Sequence, residues 1–140
     1  MTFLEKSAWV MIAALLLSGA LYFNGVIAVS AELGHIAPPN IGLIAFATVV
    51  IIAVAIFGHV LAALGNPADA DAPEDERDRT VAWRAGNTAS YVLSASVLLG
   101  ICAFALIGDG NLLFHLMVGG LIAAQVAEYA LTILFYRRGV

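Results

Sequence analysis

Four long apolar runs dominate this sequence: Ala8 to Val29, Ile41 to Leu64, Thr88 to Ile107, and Leu112 to Tyr136, the last interrupted by Gln125 and Glu128. A helix needs about 20 predominantly apolar residues to cross a hydrocarbon core about 30 Å thick, and each run meets that length. The composition leaves no soluble alternative. Only 11% of the 140 residues are charged, whereas a water-soluble domain carries about 25%. The expected fold is therefore all-α, a four-transmembrane-helix bundle in a single integral membrane domain spanning 1–140.

Local signals place the helix ends. Pro38-Pro39-Asn40 is a stiff turn followed by an N-cap for the second helix, and Gly65-Asn66-Pro67 is a stop after it. Gly108-Asp109-Gly110-Asn111 reads as a tight turn with Asn111 as N-cap of the fourth helix. In the middle segment, Pro73-Glu74-Asp75-Glu76 has proline at the first helical position and acids at the positive dipole end. The predicted helices are 8–29, 41–64, 73–107 and 112–136, with a linker at 65–72. Ser18-Gly19-Ala20 also fits a signal-peptidase site. The apolar run continues past it and Glu5 stands beside Lys6, so a retained first span is expected.

Basic residues set the expected orientation, because positively charged loops stay in the cytoplasm. Lys6, Arg77, Arg79, Arg84, Arg137 and Arg138 are all six Lys and Arg residues, and all fall on one side of an even-spanned bundle. That predicts both termini inside and a bacterial inner-membrane protein, with the third helix extended into the cytoplasm. At 1.5 Å per residue a helix over 73–107 is about 50 Å long, so two or three turns would project as a charged collar. The collar comprises Asp75, Glu76, Arg77, Asp78, Arg79 and Arg84, with Glu74–Arg77, Asp75–Arg79 and Glu76–Arg79 at ion-pair spacings. The net charge of -4 comes mainly from the acids between Asp69 and Asp78, and no basic patch offers a nucleic-acid surface.

Polar side chains inside the spans are costly and carry the functional information. Glu128 is the one acid well within a run, about 12 Å in from Tyr136, and His59 lies about 7.5 Å in from Leu64 on the same side. These depths predict a polar site of Glu128, His59 and Gln125, extended by Thr132. Its readings are a clamp between the second and fourth helices or a proton- or cation-binding site. The fourth helix also carries Gly119, Ala123 and Ala127 on one spacing of four and Gly120, Ala124 and Glu128 on the next. Such small residues mark close helix packing, with Ser90-Ser94 and Ser96-Gly100 on the third helix as counterparts. Asn24, near Tyr22, is expected to bond between helices.

Near the outer interface, Glu32, His35, Asp109 and His115 are candidate metal ligands by residue type, without diagnostic spacing. Paired-histidine haem ligation is disfavoured because His59 sits at the opposite depth from His35 and His115, and no cofactor is expected. Cys102, the single cysteine, excludes an intramolecular disulfide and reads as a small buried hydrophobe. Ala8-Trp9 and Ala82-Trp83 at the entry of odd helices hint at a parallel repeat. The extramembrane segments hold no nucleophile motif, phosphate loop or pair of catalytic carboxylates, so an enzyme is not the expectation.

The stretch from Asp75 to Tyr91 resembles the Asp-Glu-Arg segment leading into a helix in small bacterial and archaeal membrane proteins of unknown function. Some of those resemble partners or neighbours of helix-turn-helix regulators. Asn111-Leu-Leu-Phe-His, Ala127-Glu-Tyr-Ala and Tyr136-Arg-Arg-Gly-Val also look like segments of uncharacterised four-helix alphaproteobacterial proteins. The resemblance implies a bacterial inner membrane and a regulatory or accessory role. Expected partners are the lipid bilayer, a protein at the cytoplasmic face and further copies of the chain. The competing expectation is a small ion- or proton-coupled transporter using Glu128 and His59.

Overall fold

A computed structural model describes residues 3–65 and 75–139. Its elements are four helices, α1 (Phe3–Leu33), α2 (Ile41–Leu64), α3 (Glu76–Ile107) and α4 (Gly110–Arg138). All four are long and apolar enough to cross a membrane. Three outgrow their apolar runs. At 1.5 Å per residue, α1, α3 and α4 measure about 46, 48 and 44 Å, against about 36 Å for α2. Hydropathy marks the stretch that suits lipid, but polar residues such as Glu5, Lys6 and Arg84 are good helix formers and let the backbone continue past it.

The caps explain where each helix stops. Gly34 and Gly108 take positive φ values of 72° and 75°, a conformation that favours glycine, and they end α1 and α3. Asn40 caps α2 as expected, its Oδ1 accepting from Leu43 N at 3.0 Å. For α4 the cap is Asp109 instead of Asn111. Its carboxylate accepts from the backbone N–H of Asn111 at 2.8 Å and Leu112 at 3.1 Å, a stronger anchor at a positive helix end. Freed from capping, Asn111 donates from Nδ2 to Ile36 O at 3.2 Å and ties the two hairpin turns together.

The start of α3 also departs from expectation. Asp75 is its N-cap in a reciprocal capping box, with Asp78 N donating to Asp75 Oδ1 at 2.7 Å and Asp75 N donating to Asp78 Oδ2 at 3.1 Å. The proposed first turn at Pro73 and Glu74, and with it the pair Glu74–Arg77, lies outside the described residues. Asp75 and Asp78 serve the cap, and among the described residues the ion pair that forms joins Glu5 to Arg137 at 3.2 Å.

The chain runs up, down, up, down, and the packed pairs are α1 with α2, α1 with α4, and α3 with α4. In lateral order the row is α2, α1, α4, α3. Small residues set each seam. Ser18, fully buried, donates to Ala47 O at 2.9 Å across α1–α2. A side chain on Gly120 would put its Cβ 2.5 Å from Ser96 Cβ, and one on Gly58 would collide with Val10. The expected α4 face is thus present in Gly120 and Ala124, both buried, while Ala123 faces outward. On α3 the partner is the Ser96–Gly100 pair alone. Ser90 and Ser94 point away from the bundle and bond to carbonyls of their own helix. Cys102 is likewise exposed on α3, which corrects its expected burial: α3 packs chiefly on one neighbour, α4, so much of its circumference is free.

Candidate functional site

The start of α1, the end of α2, the start of α3 and the end of α4 gather at one end of the bundle, called here the terminal end. There α1, α3 and α4 continue side by side, and Glu5 of α1 meets Arg137 of α4 while Asp78 of α3 meets Tyr136 of α4. The collar is therefore not a lone projection of α3. Arg77 lies over the Tyr136 ring, 5.8 Å from its centroid, and donates to Tyr136 O at 3.1 Å. Tyr136 Oη donates to Asp78 Oδ1 at 2.5 Å. Glu76, Arg79 and Arg84 remain exposed. The docking of Arg77 and Asp78 follows from the equal reach of α3 and α4, which puts each group opposite a partner.

Beneath this layer, a cavity of about 160 Å³ opens between α1, α3 and α4. Its polar lining is Ser7, Asp78, Glu128, Tyr129, Thr132 and Tyr136. Helical spacing on α4 brings residues 128, 129, 132 and 136 to one side, and Gly86 on α3 leaves room for the Glu128 carboxylate, whose Oε1 is 3.6 Å from where a Cβ on Gly86 would lie. Glu128 Oε2 accepts from Gln125 Nε2 at 3.0 Å, so two of the three residues expected to form the polar site do meet. Thr132 donates to the Glu128 backbone carbonyl at 2.9 Å.

His59 does not join them directly. Its Nε2 lies 2.6 Å from Ser7 Oγ, and its Nδ1 lies 2.6 Å from Ala55 O. The clamp expected between α2 and α4 is replaced by a contact between α2 and α1, because α1 stands between those helices in the row. Matching depth was legible in the sequence; lateral order was not. Ser7 was the missed member, a hydroxyl on the first turns of a helix that the apolar run placed further along.

At the opposite end, Tyr22 and His115 are buried at 2% and 6% exposure. Tyr22 Oη is 2.8 Å from His115 Nδ1, and His115 Nε2 is 2.9 Å from Ala37 O. A carbonyl only accepts, so Nε2 carries the hydrogen, and Nδ1 of the neutral ring accepts from Tyr22. The interhelical bond expected of Asn24 belongs to Tyr22. Asn24 faces outward and donates to Ala20 O of its own helix at 2.8 Å. The candidate metal ligands do not assemble: His115 is held as described, Asp109 is a cap, His35 is exposed with Nδ1 3.0 Å from Ile36 O, and Glu32 is exposed. Among the described residues no group of three metal-ligating side chains converges.

Four apolar helices in a row, with a polar cavity confined to one end, define an integral membrane bundle. The chain belongs to the family described as Predicted membrane protein (DUF2178), whose model matches residues 5–140. No curated protein and no solved structure matches it.

Proposed function

We propose that this chain is a non-enzymatic membrane protein that acts as a regulatory or assembly partner, seated in a bacterial inner membrane with both termini in the cytoplasm. The observation that carries the reading is the outward face of α3. Asn87, Ser90 and Ser94 recur there at helical spacing, all exposed. Lipid-facing surfaces favour apolar side chains, whereas small and polar residues favour another helix. The exposed charges of Glu76, Arg79 and Arg84 continue the same helix beyond the apolar span and extend the surface to a soluble portion of the partner. The position of α3 at the end of the row supports the reading, since a flanking helix can add a neighbour without rearranging the bundle.

Cysteine crosslinking in native membranes tests this. With Cys102→Ser removing the native thiol, Ser94→Cys should give a crosslinked species of one defined mass, whereas Leu121→Cys on the exposed surface of α4 should not. Ser94→Leu should abolish copurification of that partner while leaving the monomer folded. Random, weak crosslinking from position 94 would show that this face meets only lipid.

A further inference from the structure

We propose that the cavity at the terminal end is a proton-exchange site, in which Glu128 and His59 share a proton through Ser7 and water without touching each other. The inference is independent of the assembly role proposed above.

The direction of the chain follows from hydrogen-bond chemistry. Ala55 O, 2.6 Å from His59 Nδ1, can only accept, so that nitrogen carries a hydrogen. Nε2 of the neutral ring then offers a lone pair, and the Ser7 hydroxyl at 2.6 Å donates to it. The Ser7 oxygen keeps its own lone pairs, and Ser7 is one of the residues lining the cavity. On the other side of that space, Glu128 Oε2 is bonded to Gln125, while Oε1 faces the gap left by Gly86. A volume of about 160 Å³ is well above the minimum of about 10–15 Å³ that a single water needs. Buried water needs two to four polar partners, which Asp78, Tyr129, Thr132 and Tyr136 supply around the same wall.

The transfer balances without any co-reactant except water. Protonated Glu128 gives its proton to cavity water, water passes a proton to Ser7 Oγ, and the Ser7 hydroxyl hydrogen moves to His59 Nε2. A carboxylate and an imidazolium result, with Nδ1–H still on Ala55 O. The reverse sequence reloads Glu128. The titratable groups that line the cavity beside Glu128 are Asp78 from α3 and Tyr129 and Tyr136 from α4, while Glu5 of α1, Arg77 of α3 and Arg137 of α4 belong to the layer above it. Arg137 is drawn to Glu5 and Arg77 to Tyr136. Asp78 is held by Tyr136 and the cap. Among the described residues that line the cavity there is no Lys or Arg.

The test uses the full chain in lipid nanodiscs with ¹⁵N-labelled histidine, His59 being assigned by loss of its signal in His59→Gln. Infrared spectroscopy follows the protonated-carboxyl band that disappears in Glu128→Gln. In the wild type, His59 should show the Nδ1–H tautomer when neutral, and the two groups should titrate in linked steps. Glu128→Gln should move the His59 midpoint by roughly half a pH unit or more, and in a Ser7→Ala background the same substitution should move it by less than about half as much. An Nε2–H tautomer, a His59 midpoint indifferent to Glu128→Gln, or a shift undiminished by Ser7→Ala would each overturn the relay, the last by showing that the coupling acts through space. If a variant fails to fold, the wild-type titrations decide alone: independent single-site curves overturn the proposal.

Discussion

Individual polar residues in a bilayer are held by whichever partner lies nearest, and Tyr22 with His115 shows the consequence. Their bond joins α1 to α4, while His115 reaches on to Ala37 in the turn before α2. Each residue was visible in the sequence as polar, but a tyrosine and a histidine separated by ninety-odd positions give no sign that they meet. Asn24 was the more conspicuous polar group and proves to be satisfied within its own helix, as asparagine can be when a carbonyl four residues back is within reach. Replacing Tyr22 with Phe keeps the ring and removes the donor, leaving His115 Nδ1 buried without a partner. An unsatisfied buried acceptor costs about 1–3 kcal/mol. We expect Tyr22→Phe to lower unfolding stability in detergent micelles by that order, whereas Asn24→Leu should change it little. Equal effects of the two substitutions would show that the Tyr22–His115 bond does not hold the turn.

At the scale of helices, the spans were legible because hydrophobic length is imposed by the bilayer, and Asn40 was legible because its cap chemistry is local. The full reach of α1 and α4 was not, since nothing in an apolar run says how far a helix continues into water, whereas α3 was expected to outgrow its span and ends at Ile107 as expected. Neighbour choice was half legible. The small-residue row on α4 announced a seam, yet two serine pairs on α3 competed for it, and only Ser96–Gly100 is used. The reason is angular: Gly120 approaches Ser96 so closely that the opposing positions must be small, while Ser90 and Ser94 lie on another side of the helix. Gly120→Val should therefore separate α3 from α4. Forcing added methyl groups into a packed seam typically costs about 1–3 kcal/mol, and unfolding stability in detergent micelles should fall by that order. Gly110→Val, at a position with no side chain within 4 Å of an added Cβ, provides the comparison. A Gly120→Val protein as stable as the Gly110→Val protein would mean that the seam is loosely packed.

The whole molecule is a row of helices whose two ends differ in kind. At the terminal end lie Lys6, Arg77, Arg79, Arg84, Arg137 and Arg138, every basic residue of the chain, together with the cavity. The turns at the other end hold Glu32, His35 and Asp109 and no Lys or Arg. Because loop retention responds to Lys and Arg and hardly to acids, the acidic residues of the middle segment do not offset this asymmetry. The pairing of Arg137 with Glu5 and the docking of Arg77 on Tyr136 do not offset it either, for orientation is set during insertion, before the bundle has packed. Reporter fusions after Leu64 and after Val140 should both report the cytoplasm, and a fusion in the turn after Leu33 should report the opposite side. Substituting Arg77, Arg79 and Arg84 together should leave the order of helices unchanged but give a mixed population of fusion signals, since Lys6, Arg137 and Arg138 still favour the original orientation. A signal from the opposite side after Leu64 or Val140 in the unmodified chain would reverse the proposed orientation, and with it the side on which the Glu128 cavity lies.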